Sequence, residues 1–212
     1  MLRMLKTQFI PAAVAESRRL MIALHGLGDS LEGWLWLPRA MRLPWLNFLL
    51  VQAPIPYYGG WSWFDIEDGS GIAESREMLF ELLDGLAEYP ANQIIFSGFS
   101  QGCLMSIEVG VRYPRQLAGI VGISGFVHEP EKLVREMSPV ARQQRFLLTH
   151  GTQDPMLPIE GTRPQVEMLK KAGLNIEWRE FVKVHNVAGE EELAVIREFV
   201  CGCYGEKAKA AL

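Results

Sequence analysis

Short apolar segments alternate with helical segments along almost the whole chain. The short segments have the length and composition of buried strands, and they are residues 20–24, 47–51, 94–96, 119–123, 146–149 and 174–181. Apolar residues at three- and four-residue spacing predict the helices, which are residues 31–41, 72–89, 101–113, 164–172 and 190–204. Strands that alternate with helices predict an α/β fold with a mostly parallel central sheet and helices on both faces.

The length and composition indicate a single folded domain. The chain has 212 residues, of which 49% are hydrophobic and 22% are charged, which is usual for a globular domain that buries a core. We find no internal repeat and no linker-like change of composition. We therefore expect one domain over residues 1–204 and a flexible, alanine-rich and polar tail over residues 205–212.

The charge balance argues against a nucleic-acid partner. Lys and Arg total 21 and Asp and Glu total 25, so the formal net charge is −4. A chain without a basic field has little with which to hold a polyanion. No run of ~18 consecutive apolar residues occurs either, so we expect no stable insertion into a membrane.

Cysteine usage and the N-terminal residues predict a cytoplasmic protein. The chain has 3 cysteines, an odd number that does not make a disulfide framework and that is typical of a reducing compartment. The first apolar run, residues 9–15, is broken by Pro11 and followed by Glu16, so it lacks the length of a signal-peptide core.

No cofactor and no metal are expected. Gly26 and Gly28 flank Leu27 in a loop that lacks the third glycine of a dinucleotide-binding turn and the lysine of a phosphate-binding loop. Cys201 and Cys203 are two residues apart, so on a helix they point to different faces and make a poor zinc site.

The segment Gly98-Phe99-Ser100-Gln101-Gly102 follows a predicted strand and begins a predicted helix. A serine nucleophile needs its oxygen exposed on such a tight strand-to-helix turn, and the close backbone approach there favours glycine on both sides. The N–H of Gln101 would lie at a helix N-terminus, where it can stabilise an oxyanion. This context predicts that Ser100 is a catalytic nucleophile.

The general base is chosen from 4 histidines. In hydrolases of this type the chain order is serine, then acid, then histidine. His185 follows Ser100 and lies between the last predicted strand and the last helix, so we predict that it is the base. His25 and His150 end strands and are interpreted as structural, and His128 is predicted to lie on the surface.

The acid is expected between the serine and the base. Asp154 follows the end of a predicted strand, which is the right place for the residue that orients the base, although an Asp-Pro turn is a common structural use of aspartate. Glu160 is the alternative, further past the strand end. A second oxyanion N–H would come from Leu27, in the glycine-flanked loop after the first predicted strand.

Six short segments share their sequence and order with one known family. They are residues 24–30 (LHGLGDS), 52–54 (QAP), 63–66 (WFDI), 98–102 (GFSQG), 124–126 (SGF) and 150–155 (HGTQDP). On these segments the chain resembles the phospholipase/carboxylesterase family of α/β hydrolases, which includes the acyl-protein thioesterases, and the resemblance extends over about residues 7–204. Six matches in family order are far more specific than any one of them.

The resemblance implies the α/β-hydrolase fold and assigns roles by position. It implies Ser100 as nucleophile, Asp154 as acid and His185 as base, with oxyanion N–H groups from Leu27 and Gln101. It also places Met156 beside the acyl pocket and suggests a homodimer. Many relatives carry glycine directly before the base, where this chain has Val184, so the local backbone is expected to differ there.

Aromatic residues before Asp65 have two readings. Trp61, Trp63 and Phe64 either pack as the core of a loop or form an apolar wall for an acyl chain. With the second reading, Trp63, Phe126 and Met156 are the predicted pocket residues. Asp65 itself is expected to cap a turn.

Three functions are compatible with these residues. The leading prediction is a serine carboxylesterase for short or medium acyl chains that acts on a small-molecule ester or thioester. An acyl-protein thioesterase or lysophospholipase would use the same three residues, because fold and triad do not select the leaving group. A ligand-binding relative without turnover is the non-enzymatic alternative, and it would usually have lost one of the three.

Overall fold

A seven-stranded sheet forms the centre of the structure, a computed structural model that describes residues 4–206. The strands are β1 (Thr7–Ile10), β2 (Leu20–Leu24), β3 (Asn47–Val51), β4 (Ile55–Tyr57), β5 (Gly60–Ser62), β6 (Ile94–Phe99), β7 (Gly119–Ile123), β8 (Arg145–Gly151) and β9 (Asn175–Phe181). The order across the sheet is β1-β3-β2-β6-β7-β8-β9. Only β1 runs antiparallel to its neighbour, and β4 and β5 form a separate hairpin.

Within residues 4–206, six α-helices cover the sheet. They are α1 (Leu37–Met41), α2 (Ile72–Gly85), α3 (Gln101–Arg112), α4 (Pro130–Arg135), α5 (Ile159–Lys171) and α6 (Glu190–Cys203). The core forms two apolar layers, one on each face of the sheet. Leu20, Ile22 and Leu24 of β2 face the layer with α2 and α3, whereas Met21 and Ala23 face the layer with α1 and α6. The predicted mostly parallel sheet with helices on both faces is confirmed.

Three predicted helices have clearly different limits in the structure. The helix predicted at residues 164–172 begins five residues earlier, at Ile159, and Pro164 lies inside it. The predicted helix at residues 31–41 is a 3-10 turn at Glu32–Trp34 followed by α1. Pro38 lies in the first turn of α1, where proline is favoured, and Arg42 ends the helix in the left-handed region, at φ 50°. The predicted helix at residues 72–89 ends at Gly85, since glycine is a weak helix former.

The C-terminal prediction is partly outside the described residues. Glu206 pairs with Arg19 at 2.8 Å, and its N–H donates to the Cys201 carbonyl. Residues 207–212 of the predicted tail lie outside the described residues, so the flexible tail stays a prediction. Among residues 4–206, no helix has the length and hydropathy needed to cross a bilayer.

Candidate active site

Ser100 occupies the turn between β6 and α3. Its backbone has φ 54° and ψ −115°, a region that residues other than glycine rarely adopt. The turn is held by two backbone hydrogen bonds, from the Ser100 N–H to Ile123 (2.9 Å) and from the Leu104 N–H to the Ser100 carbonyl (3.2 Å). The surrounding structure therefore imposes this conformation and presents the hydroxyl at the carboxyl edge of the sheet.

The two glycines of the turn are required by close backbone contact. A Cβ at Gly98 would lie 2.1 Å from the carbonyl oxygen of Gly102. A Cβ at Gly102 would lie 2.5 Å from the carbonyl oxygen of Leu24 on the neighbouring strand. These distances agree with the reason given above for glycine on both sides of Ser100.

The structure brings Ser100, His185 and Asp154 into one hydrogen-bonded chain. His185 Nε2 lies 2.9 Å from Ser100 Oγ, and His185 Nδ1 lies 2.7 Å from Asp154 Oδ2. Because a carboxylate can only accept, Nδ1 carries the proton, which leaves Nε2 free to accept the hydroxyl proton of Ser100. The three residues follow β6, β8 and β9, whose carboxyl ends lie at the same edge of the sheet.

Asp154 is buried and is held by its own loop, residues 152–158, here called the acid loop. Its Oδ1 accepts the N–H groups of Met156 and Leu157, both at 2.9 Å. Burial alone would raise the pKa of this carboxyl, but the hydrogen bonds from Leu157 and His185 outweigh it, so the pKa lies below its ordinary value of 3.8. Asp154 is therefore an anion at neutral pH and can stabilise a protonated His185.

The two predicted oxyanion donors lie on structured backbone. Leu27 and Gly28 are the central residues of a turn closed by the Asp29 N–H and the Gly26 carbonyl (3.4 Å), and Gly28 has φ 76°. Gln101 is the first residue of α3, where N–H groups carry the positive end of the helix dipole. Within residues 4–206, neither the Leu27 nor the Gln101 N–H is used in a backbone hydrogen bond between elements.

Comparison with known proteins decides the family. The sequence model described as phospholipase/carboxylesterase matches residues 5–203. The chain belongs to this family. The predicted family and the predicted hydrolase of ester bonds are thereby confirmed.

Two relatives and one solved structure illustrate the similarity. Acyl-protein thioesterase 1 of Schizosaccharomyces pombe is 37% identical over 65% of this chain and 69% of its own length. Acyl-protein thioesterase 1 of Yarrowia lipolytica is 31% identical over 88% of this chain and 92% of its own length. The crystal structure of esterase PE8 superposes with a TM-score of 0.85 at 26% identity and covers 95% of this chain and 100% of that one.

The predicted pocket residues of this family member lie in three different settings. Trp63 is 0% exposed and its Nε1–H donates to the His25 carbonyl (2.9 Å), so its ring belongs to the core. Phe126 is half-buried and meets Phe64 edge-on, with 6.4 Å between ring centroids. Met156 is 70% exposed and lies beside Asp154 in the acid loop.

A cleft of about 550 Å³ lies beside this aromatic segment. Its walls come from the β4–β5 hairpin and the following loop, and its lining residues include Tyr57, Ser62, Phe64, Ile66 and Gly71. None of the three predicted pocket residues, Trp63, Phe126 and Met156, contributes to these walls. The cleft is nevertheless tied to the site, because the Gln101 side chain accepts from the Trp63 N–H (2.9 Å) and donates to the Phe64 carbonyl (3.0 Å).

Sequence reasoning missed the side-chain roles of Gln101 and Phe99. It assigned only the backbone N–H of Gln101, whereas the amide also fixes the wall of the cleft. Phe99 packs against the His185 ring with 5.0 Å between centroids. Both flank Ser100 in the same short motif, which is the only signal that could have indicated them.

The remaining histidines and Val184 occupy structural positions. His25 and His150 are buried and hydrogen-bonded to backbone groups, as predicted, whereas the His128 side chain is 34% exposed. Val184 is not among the residues with positive φ, so a valine is accommodated there without backbone strain. Asp65 accepts the Glu67 N–H (2.8 Å), the predicted turn cap. Residues 4–206 contain no cluster of three or more side chains suited to a metal ion.

Proposed function

We propose that this chain is a serine carboxylesterase that works through an acyl-enzyme on Ser100. The observation that carries the proposal is the continuous hydrogen-bonded chain from Ser100 through His185 to the buried Asp154. This is the arrangement of a nucleophile, a base and an orienting acid. A ligand-binding protein without turnover would have no need for it.

The geometry supports a two-step reaction. Ser100 Oγ attacks the acyl carbonyl as His185 Nε2 accepts its proton, and Asp154 stabilises the imidazolium. The tetrahedral oxyanion would accept hydrogen bonds from the N–H groups of Leu27 and Gln101. His185 then gives its proton to the leaving alcohol or thiol, and water, activated by the same ring, releases the acid and regenerates Ser100.

The substrate class is a small acyl ester or thioester. The cleft next to Phe64 is large enough for an acyl chain of short or medium length, and its walls combine apolar and hydroxyl groups with the carboxylates of Asp65 and Glu67. A thioesterase acting on acylated proteins is the second candidate, since the two relatives described above carry that name. The reaction steps are the same for both.

A reducing compartment such as the cytoplasm is the proposed location. The cysteines, Cys103, Cys201 and Cys203, are all free, and the first two are buried. Burial raises the pKa of the Cys103 thiol to about 12, so it is an inert part of the core.

The test is hydrolysis of p-nitrophenyl esters from C2 to C12, together with an acyl-thioester, by the wild-type protein and Ser100→Ala. We expect the variant to lose roughly 10⁴-fold or more in kcat, because Ser100 is the proposed nucleophile. Ser106→Ala is the matched control, since this serine lies inside α3 and its hydroxyl donates to the Gly102 carbonyl. The acyl-chain length that is hydrolysed fastest then indicates the length of the acyl pocket.

Two results would contradict the proposal. Ser100→Ala could retain most of the activity, which would exclude the acyl-enzyme. Alternatively, the folded wild-type protein could leave every ester and thioester intact and resist labelling by a fluorophosphonate, which would favour the ligand-binding alternative.

A further inference from the structure

A buried ion pair lies beneath the loop that carries His185. This segment, residues 182–189, connects β9 to α6 and is here called the base loop. Lys183 Nζ lies 2.5 Å from Glu192 Oε1, and the two side chains are 2% and 0% exposed. Among residues 4–206, no other lysine or arginine forms an ion pair that is so deeply buried on both sides; the Arg112–Glu108 pair comes next, with 10% of the arginine exposed.

The carboxylate of Glu192 holds the base loop at both ends. One oxygen binds Lys183, two residues before His185, and the other accepts the N–H of Ala188, three residues after it, at 2.6 Å. Glu192 itself is fixed in the first turn of α6. His185 therefore sits on a short segment whose two ends are tied to one rigid group.

Lys183 also joins the base loop to the acid loop. Its backbone carbonyl accepts the N–H of Gln153, the residue before Asp154, at 3.1 Å. Burial lowers the pKa of the Lys183 ammonium, and the carboxylates of Glu192 and Asp154 limit that decrease. The ammonium is thus influenced by the carboxylate of Glu192, in α6, and by that of Asp154, in the acid loop.

Stability alone does not account for this pair. Removing two charges from water is unfavourable, and apolar side chains of similar volume often stabilise a core as well or better. A buried pair can instead select one conformation among several that are similar in packing. Here that conformation places the imidazole between Ser100 and Asp154.

We infer that Lys183 and Glu192 are positioning residues, which together hold His185 in register with Ser100 and Asp154. The inference rests on the proposed role of His185 as the base. Neither side chain touches the reacting atoms, so the pair acts only through the backbone of the two loops.

The test separates positioning from stability with three variants. Lys183→Met breaks the pair, Lys183→Met with Glu192→Met replaces it by apolar side chains, and Glu108→Gln is the matched control. Glu108 is a buried carboxylate of α3 that pairs with Arg76 of α2 and Arg112 of α3. It lies about 12 Å along the helix from Ser100. Tm, kcat and KM are measured for each variant. The kcat is expressed per active site, and active sites are counted by titration with a fluorophosphonate.

We expect both Lys183 variants to lose about 10- to 100-fold in kcat with little change in KM, as for a misplaced catalytic group. The double variant should recover Tm relative to Lys183→Met without recovering kcat. Glu108→Gln should lower Tm and keep kcat within about twofold of the wild type. If Lys183→Met does not fold, the kcat of the double variant tests the inference.

A measurement without substrate distinguishes this inference from the proposed function. The proton between His185 Nδ1 and Asp154 gives a low-field ¹H resonance in NMR, which should disappear in the double variant while the methyl spectrum stays dispersed. Loss of this signal in a protein that hydrolyses nothing would refute the function and keep the positioning role. A double variant with wild-type kcat and an unchanged low-field resonance would overturn the inference.

Discussion

The same dipeptide, His-Gly, lies at the carboxyl ends of two strands of the sheet, yet the two histidines support their loops in different ways. His25-Gly26 follows β2 and begins the loop that carries Leu27, whereas His150-Gly151 ends β8 and begins the acid loop. Both rings are buried, at 1% and 0% exposed. They differ in how many of their ring nitrogens are hydrogen-bonded.

The His25 ring is fully hydrogen-bonded. Nδ1–H donates to the Gly26 carbonyl (2.7 Å), and Nε2 accepts from the Ala53 N–H (3.1 Å) and from Gln52 Nε2 (3.0 Å). Since a carbonyl can only accept, the neutral ring has its proton on Nδ1. One side chain thus joins the Leu27 loop to the segment that follows β3.

The His150 ring is hydrogen-bonded at one nitrogen only. Nε2–H donates to the Leu157 carbonyl (2.8 Å), while the buried Nδ1 has no hydrogen-bond partner within the part of the chain that the structure describes. The ring stacks on Trp178 at 5.7 Å. The conformation of the acid loop therefore depends less on His150 than on the hydrogen bonds that Asp154 itself accepts. The same local sequence serves as a rigid connector in one place and mainly as packing in the other.

The same substitution at both positions tests this difference, and His25→Phe should have the larger effect. The phenyl ring fills the volume but leaves the Ala53 N–H and Gln52 Nε2 without their His25 partner, and the Gly26 carbonyl keeps only the long bond from the Asp29 N–H. We expect a loss of about 3–5 kcal/mol in the free energy of unfolding, from several unsatisfied buried groups. Urea denaturation measures it, with His128→Phe as a partly exposed control. A loss no greater than that of the control would contradict the connector role.

His150→Phe should have a smaller effect. It keeps the stacking on Trp178 and removes one hydrogen bond, so we expect a loss of about 1–2 kcal/mol. We also expect a modest decrease in kcat, because the N–H of the same residue, Leu157, donates to Asp154. The same denaturation series checks it. Equal losses at both positions would remove the distinction between the two histidines.

The pH dependence of stability should show the smallest difference. Burial lowers the pKa values of His25 and His150 below the ordinary 6.5. Below about pH 6.5 the unfolded chain binds protons that the folded chain does not, so stability decreases as the pH falls, by at most about 1.4 kcal/mol per pH unit for each histidine. Tm should therefore fall less steeply between pH 7 and pH 5 in either phenylalanine variant. Parallel Tm curves for all three proteins would contradict this.

The sheet and the chain order of the site could be predicted because their signals are local. Strand β2 and strand β3 are continuous apolar runs, and their observed limits match the predicted ones. Ser100, Asp154 and His185 were indicated by their places after strands, and the structure brings those side chains together. Their catalytic roles stay a proposal.

Elements with mixed burial were missed. Strand β1 is short and mostly exposed, so it has no apolar pattern. The β4–β5 hairpin turns at Tyr58 and Gly59, with φ 41° and 87°, and a tyrosine is not the usual residue for such a turn. Trp63 illustrates the same limit, because an aromatic residue predicts burial but not whether it faces a cleft or the core.

The buried ion pair could not have been predicted either. Lysine and glutamate are almost always exposed. The three glutamates at residues 190–192 are typical of a solvent-exposed first turn of a helix. Only the tertiary structure shows that Glu192 turns inward to Lys183.

The separation of the site residues along the chain has a consequence for folding. The contact between His185 and Ser100 joins residues 85 apart, and the contact with Asp154 joins residues 31 apart. Contacts at such separations form only after the intervening chain has been ordered. During refolding, hydrolysis would therefore return only once β6, β8 and β9 are assembled, which makes enzyme activity a reporter of the completed sheet rather than of its first collapsed states.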